Sequence, residues 1–341
     1  MSHPSHASPP PPVQMLQIMM GYWVAQTAAA IARFDIPDRL ASGPRSADEL
    51  ARAVEANPAT LRRLLRAAAS VGMLSEVAPG TFASTPLGDT LRRDAPGSLR
   101  DLVVAELATG HWLPWGKLYE AVKSGKSGAR DSLGMTIWEH YAKTPDEGGT
   151  FARGMSNLSA IVAAETLPAF DFKPHSTIVD VGGSEGVMLA GALRAAPGAR
   201  GILFDLPEVI ERGRGKVSSY GFGDRLQAQA GDFFASVPAG GDLYILKAIV
   251  HDWDDEKSIA ILKNVQRAAK PGAKVLVVEM VVPETIGPPP VHLMDLNMLV
   301  MLDGRERTKD EFAGLLDAAG LRFERVLPSQ GLFSLIEATK P

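Results

Sequence analysis

Charged, apolar and β-branched positions divide the chain into three zones. In the first, residues 13–32 carry no charge over a span long enough to cross a bilayer. Gln14, Gln17, Gln26, Thr27 and many alanines leave that run only weakly apolar, and no Lys or Arg precedes it, which argues against a signal peptide. It predicts a long helix buried against a partner subunit. Residues 1–12 are rich in Ser, His and Pro and predict a disordered tail. Residues 46–87 form a compact pattern. Ser46 and Glu49 suit a capping box for a helix over 47–54, and Asn57 suits the cap of a second helix with Pro58 at its first position. Leu61, Leu64, Leu65 and Ala68 fall on one face of that second helix, and Gly72 ends it. Residues 73–77 and 81–84 pair as a hairpin around Pro79-Gly80. Helix, helix and hairpin make a winged-helix arrangement. Arg62, Arg63 and Arg66 would face DNA phosphates in a regulator of that shape, or form the solvated face of a packing module.

The second zone, residues 99–141, is helical and aromatic, with Trp112, Trp115, Tyr119, Trp138 and Tyr141 around a polar loop at 123–131. A further helix is expected over 151–167. In the third zone short apolar strands alternate with helices, the signature of a parallel sheet covered on both faces. The strands are expected at 177–181, 201–204, 226–230, 243–246 and 274–278. Their ends carry Gly182, Asp205, Asp232, Lys247 and Glu279, where open α/β sheets hold their ligands. A helix over 308–319 follows. Residues 322–327 and 332–338 then come with no helix between them, so the last strand returns antiparallel.

Composition narrows the function. A chain of 341 residues suggests two domains, and 45 % hydrophobic content supports a real core. The net charge of −4 supplies no basic field for nucleic acid. With no cysteine there is no disulfide, no thiol catalysis and no cysteine-ligated metal, and a reducing cytoplasm is permitted. The carboxylates sit on separate strand ends with no His/Asp cluster at ligand spacing, so no metal is expected.

The glycine loop after the first strand, TIVDVGGSEG (177–186), selects the ligand. A nicotinamide loop needs G-x-G-x-x-G, and from Gly182 the later positions are Ser184 and Val187. Counted from Asp180 the loop reads D-x-G-x-S-x-G. It resembles the D-x-G-x-G-x-G loop of class I S-adenosylmethionine methyltransferases, with Ser184 as the departure. Asp205, roughly 20 residues on, suits a ribose diol of either cofactor type. Asp232 stands where an adenine amino group would be read, beside Phe233. His251, four residues past Lys247, is either a general base or a surface or helix-capping histidine, since Asp252, Asp254 and Asp255 begin a helix expected over 253–269.

VDVGGSEG, FDLPEVI, GDFF, KAIVHDWDDE, VEM and GRERTKDEF occur in this order. Over about residues 13–337 the chain is similar to the plant caffeic-acid-type and bacterial polyketide-type O-methyltransferases. The resemblance implies an α/β fold: a C-terminal Rossmann-like class I methyltransferase sheet, mostly parallel, behind a helical, winged-helix N-terminal dimerisation domain. The implied divisions are a tail over 1–12, a dimerisation domain over 13–100, a connecting region over 101–170 and a catalytic domain over 171–341. It implies S-adenosylmethionine as methyl donor, S-adenosylhomocysteine as product, a hydroxylated aromatic or polyketide-like acceptor, and a cytoplasmic homodimer with no nucleic-acid or membrane partner. By motif, Ser159, Gly182, Asp205, Asp232, Phe233 and Lys247 correspond to cofactor-binding positions. His251 corresponds to the base, and Glu279 and Glu306 to the acids that hold it, without metal. Phe151, Met155, Asn297 and Met298 correspond to the acceptor pocket. Asn297 replaces an apolar residue of the plant relatives and implies a more polar acceptor, and Ala248 replaces a bulky one. Non-methylating chemistry such as hydroxylation, N- or C-methylation, and a winged-helix DNA-binding regulator are the alternatives.

Overall fold

A helix with no charge before its final residue opens the chain. The computed structural model describes residues 9–287 and 290–341, so most of the expected tail lies outside the described residues. α1 (Pro11–Arg33) starts ahead of the uncharged run, because prolines in the first turn need no amide partner. Its last turns bury Ala29, Ile31 and Ala32. Its first turns expose Met15, Leu16, Ile18, Met19, Tyr22 and Trp23 instead, with Ile18 72 % accessible. No helix among the described residues is long and apolar enough to cross a membrane.

The unit that runs to Ala108 is the helix–helix–hairpin pattern read from the sequence. α2 (Ala47–Ala53) is held by the Ser46–Glu49 capping box. α3 (Pro58–Ser70) is capped by Asn57, whose Oδ1 accepts from Ala59 and Thr60. Strand β1 (Arg45–Ser46) joins the hairpin of β2 (Leu74–Ala78) and β3 (Thr81–Ser84) in the order β1-β3-β2. Ile31, Ile36, Leu50, Leu65 and Phe82 form its core. Arg62, Arg63 and Arg66 are exposed on α3.

The second unit spans Thr109–Pro341. Its sheet contains β4 (Thr177–Val181), β5 (Arg200–Asp205), β6 (Leu226–Ala230), β7 (Leu243–Lys247), β8 (Lys274–Glu279), β9 (Arg322–Pro328) and β10 (Ser334–Thr339). The order is β9-β10-β8-β7-β4-β5-β6. Neighbours are parallel except β10, which lies antiparallel between β8 and β9. Alternate residues of each strand feed opposite cores. Val179, Val181, Tyr244 and Val277 face one cluster with Val265 and Phe312. Ile178, Ile245, Leu276 and Val278 face the other with Leu189 and Leu193. The covering helices include α4 (Pro145–Thr166), α5 (Val187–Ala195), α6 (Pro207–Ser219), α7 (Asp255–Ala268), α8 (Pro290–Met301) and α9 (Lys309–Ala318).

Three local expectations change. Residues 99–141 fold as five short helices, with Arg100–Glu106 in the first unit and the rest in the second. The polar loop at 123–131 is partly one of them, Gly128–Leu133. There Ser127 Oγ accepts from Ala129 and donates to the Val300 carbonyl, and a Cβ at Gly128 would stand 2.8 Å from the Pro114 carbonyl. α4 begins at Pro145, with Asp146 and Glu147 in its first turn, six residues before Phe151. α7 begins at Asp255 behind the cap Asp254, which leaves Trp253 outside the helix.

Two strand-to-loop junctions hold non-glycine residues in the left-handed region: Ser184 after β4 and Ala248 after β7, both at φ 53°. For an L-residue that conformation costs roughly 1–2 kcal/mol. Ser184→Gly should therefore raise the urea midpoint, by up to about 1 kcal/mol of stability once the more flexible unfolded chain is counted. Gly186→Ala, at φ 74°, should lower it; urea unfolding of both variants checks the pair.

Candidate active site

The glycine loop is tied to the next strand rather than left free. Gly182 and Gly183 donate to the Phe204 carbonyl at 2.8 and 3.4 Å. Ser184 N–H donates to Asp205 Oδ2 at 2.8 Å, and Leu206 N–H donates to Oδ1 at 2.7 Å. A Cβ on Gly182 would run into Ile249, and one on Gly183 into Asp180 and Leu203. Asp180 lies beneath, 1 % exposed, accepting from Leu189 N–H at 3.2 Å. Burial pushes its carboxyl up to about 7 against the pull of Lys247. Burial in turn lowers the Lys247 ammonium, opposed by Asp180, Asp252 and Glu279.

The neighbouring strand end is as firmly set. Asp232 Oδ1 accepts from Phe234 N–H at 2.8 Å. Asn264 on α7 donates to the carbonyls of Phe233 and Phe234 at 2.7 and 2.9 Å, fixing the turn. Phe233 stands 3.7 Å from where a Gly182 Cβ would be, and meets Trp253 edge-on at 6.3 Å. On α4, Ser159 Oγ donates to the Met155 carbonyl at 2.7 Å, and one turn earlier Ser156 Oγ is buried without a partner. Exposed Asp232, the glycine approach and the orphaned Ser156 hydroxyl suit an adenosyl amino acid with several polar groups to satisfy.

His251 sits in a single 3₁₀ turn, Val250–Asp252, just past β7. It is 7 % exposed, so the reading as a surface or helix-capping histidine does not hold; the α7 cap is Asp254. Its Nδ1 lies 2.7 Å from Glu306 Oε1 and its Nε2 3.4 Å from Asp252 Oδ1. The carboxylate fixes the proton on Nδ1 and leaves Nε2 as the atom that gains or loses one. Glu279 does a different job. Its Oε1 accepts the backbone N–H groups of Ile249, Val250 and His251 at 3.2, 2.7 and 3.1 Å. Burial alone would depress the imidazolium. The charges of Glu279, Asp252 and Glu306 outweigh it and bring it up to about 9. Burial also pushes Glu279 up to about 7 and Asp252 up to about 6, both opposed by His251.

His251, Glu279 and Glu306 converge although the sequence shows no ligand spacing: one ligand-type atom of each lies within 4.8 Å of the others. Glu306 Oε1 meets Nδ1 and Glu279 Oε1 takes the three amides, while Oε2 of each acid is buried without a partner. The short Nδ1–Glu306 contact suits a held proton.

The expected acceptor-side residues form two groups. Phe151 stacks on Tyr141 at 4.8 Å and His111 at 5.8 Å, with half-buried Met155 one turn along α4. Met298 is buried on α8, and Asn297 Oδ1 accepts from Trp115 Nε1 at 2.9 Å. Tyr141 and Trp115 both pack against the buried cluster of Ile137, Val300 and Met301, which joins the groups.

Four residues escaped the sequence reading. Ser156 is the orphaned hydroxyl, and Asp252 touches Nε2. Gly304 lets the loop carrying Glu306 lie on the histidine, because a Cβ there would run into the His251 carbonyl. Arg307 is fully buried and donates to the carbonyls of Val250 and Trp253 at 3.1 and 2.8 Å and to Asp255 at 2.8 Å. Only the charged run around GRERT hinted at the last two.

Residues 115–322 match the O-methyltransferase domain, and residues 16–94 match the O-methyltransferase dimerisation domain. The chain is 39 % identical over 324 residues to the phenazine O-methyltransferase PhzM of Lysobacter antibioticus, covering 95 % of each. It is similar to the crystal structure of LaPhzM, with TM-score 0.94 and 38 % identity over 98 % of this chain and all of that one. Human N-acetylserotonin methyltransferase, solved in complex with SAM, aligns at TM-score 0.89 and 28 % identity over 98 % of this chain and 99 % of that one. The chain therefore belongs to the O-methyltransferase family, with the dimerisation domain at its N-terminal end and the methyltransferase domain after it.

Proposed function

We propose that this S-adenosylmethionine-dependent O-methyltransferase methylates a hydroxyl of an aromatic or polyketide-like small molecule, with His251 as general base and no metal. The single observation that carries the mechanism is the buried His251 bracketed by Glu306 on Nδ1 and Asp252 on Nε2. The donor supplies an already activated sulfonium methyl. The protein's part is to hold the acceptor oxygen in line with it and remove the phenolic proton. The acceptor hydroxyl displaces Asp252 from Nε2 and hands over its proton as the O–CH3 bond forms and the C–S bond breaks. Glu306 stabilises the resulting imidazolium. Asp180, Asp252, Glu279 and Glu306 stand at this edge of the sheet together with Lys247 and His251. Ser159, Gly182, Asp205, Asp232, Phe233 and Lys247 hold the donor, and Phe151, Met155, Asn297 and Met298 line the acceptor side. The same reading assigns no nucleic-acid partner and a cytoplasmic enzyme.

We further infer a homodimer through α1, because its uncharged first turns expose a continuous row of large apolar side chains and lie largely within the dimerisation match. Deleting residues 1–33 should yield aggregation or an inactive monomer. A monodisperse monomer of the full chain in light scattering would overturn the dimer.

His251→Ala should lower kcat by roughly 10²–10⁴-fold while calorimetric S-adenosylhomocysteine affinity changes little. Near-normal turnover of a weakly acidic phenol would make the histidine structural. The pH profile gives an independent reading. With the imidazolium at about 9 in the ligand-free protein, the base is protonated at neutral pH, so kcat/KM should rise with pH. A bound sulfonium cation moves that limb to lower pH by repelling the proton. Glu306→Gln removes a charge that raises the imidazolium, so its limb should also move down in pH while the plateau falls. A limb unmoved in Glu306→Gln would mean that another group titrates.

A further inference from the structure

Each turnover leaves a proton on His251 Nε2, and the base must shed it before it can serve again. Few ways out are open. Nδ1 faces Glu306, whose side chain has no exposure. Glu279, also without exposure, is taken up by three backbone amides. Asp252 is different. Its Oδ1 lies 3.4 Å from Nε2, and its side chain is 16 % exposed. It also lines a cavity of about 50 Å³. At roughly 15 Å³ each, that is room for about three waters. Ser127, Thr136 and Arg130 in the same wall offer them polar partners. Trp253, another wall residue, has a buried indole N–H without a partner, a donor that water would satisfy. Arg130 and Lys257 belong to the wall too, and their side chains stand well out in solvent. The cavity thus runs from the neighbour of the imidazole to the surface.

We infer that Asp252 is the proton outlet of the base: once the methylated product has left, its carboxylate returns to Nε2, takes the proton and passes it to water in this cavity and so to solvent. The inference rests on the methyl-transfer reading for the origin of the proton and adds the route by which it leaves. The N–H bond at Nε2 breaks, an O–H bond forms on Asp252, and a cavity water breaks that bond in turn. His251 is then a neutral base again, its Nδ1 proton still held by Glu306, and water is the only other participant. Burial eases the hand-over. Against an imidazolium at about 9, an ordinary carboxylate would be a poor taker. Burial lifts Asp252 to about 6, against the pull of His251 and Lys247, and shrinks the uphill step. Glu279 and Glu306 face the same imidazole, but neither lines this cavity.

The decisive variant is Asp252→Asn, followed through one turnover and through many. Rapid-quench assay with S-adenosylmethionine and a phenol should show a burst of about one methyl per active site. The steady rate that follows should be lower than that of the wild type by about 10-fold or more, the scale of a lost proton-transfer group. Formate, small enough for the cavity, should raise that rate in proportion to its concentration, and Asp252→Glu should recover most of it. A reading without turnover comes from the ligand-free protein. Exchange of the His251 Nε2 proton with solvent, followed by NMR of isotope-labelled histidine, should slow by about 10-fold or more in Asp252→Asn and recover with formate. Removing a neighbouring negative charge by itself loosens the imidazolium proton, so an Asp252 with a purely electrostatic or structural role gives faster exchange. Faster or unchanged exchange in Asp252→Asn would overturn the inference. So would equal losses in the first and later turnovers with no response to formate. A wild-type enzyme that methylates no phenol would contradict the methyl-transfer reading alone, and the exchange comparison would still decide the role of Asp252.

Discussion

One buried carboxylate fixes where the reactive groups stand. Glu279 ends β8 with no exposure, and its Oε1 gathers three consecutive amide hydrogens from residues 249–251. A charge removed from water must be compensated by hydrogen bonds, and backbone amides are the least mobile donors available. The chain after β7 therefore has one path: a left-handed step at Ala248, then a 3₁₀ turn wrapped around the carboxylate. His251 rides on that turn. Work is divided between two acids, since Glu279 sets where the histidine stands and Glu306 sets which nitrogen carries the proton. Two buried carboxylates and the half-buried Asp252 around one imidazole keep the proton attraction high.

The second clamp comes from the opposite direction. Arg307 buries a guanidinium completely, which is tolerable only because carbonyls and carboxylate meet it. It joins the loop of Glu306 to the turn of His251 and to the start of α7, where Asp255 also receives Arg305 at 2.8 Å. Close passage of those loops depends on Gly304. Histidine and glutamate are thus held by two segments tied to each other through Arg307 and through the Arg305 N–H on the His251 carbonyl, and their 2.7 Å contact follows from that tie. A site so held is preorganised, and little reorganisation is needed when the proton moves.

Much of this was legible in the sequence, and the reason is punctuation. Apolar runs broken by Asp205, Lys247 and Glu279 located those strands to within a residue or two, because a charge ends a buried strand where it reaches the sheet edge. The capping residues Ser46 and Asn57 located helix starts for the same local reason. What stayed hidden depends on distance along the chain. The partner of Arg307 lies 52 residues away, and Glu279 spends its carboxylate on amides rather than on the imidazole ring. Neither pairing leaves a local pattern. The aromatic zone misled in the other direction: Ser127 and Gly128 read as loop residues, yet their small size is what lets a short helix pack on the Val300 carbonyl.

The position of β10 has a consequence for biosynthesis. It lies between β8 and β9, and Ser334 sits directly opposite Glu279. As the chain leaves the ribosome, β8 emerges long before the strand that covers its outer edge, and β9 has no sheet partner until β10 arrives. The winged-helix unit closes from contacts near in sequence, but the sheet of the second unit stays open-edged until β10 is made. Such an edge invites pairing with other nascent chains. During synthesis, the strand bearing Glu279 therefore presents an unpaired edge until β10 reaches it.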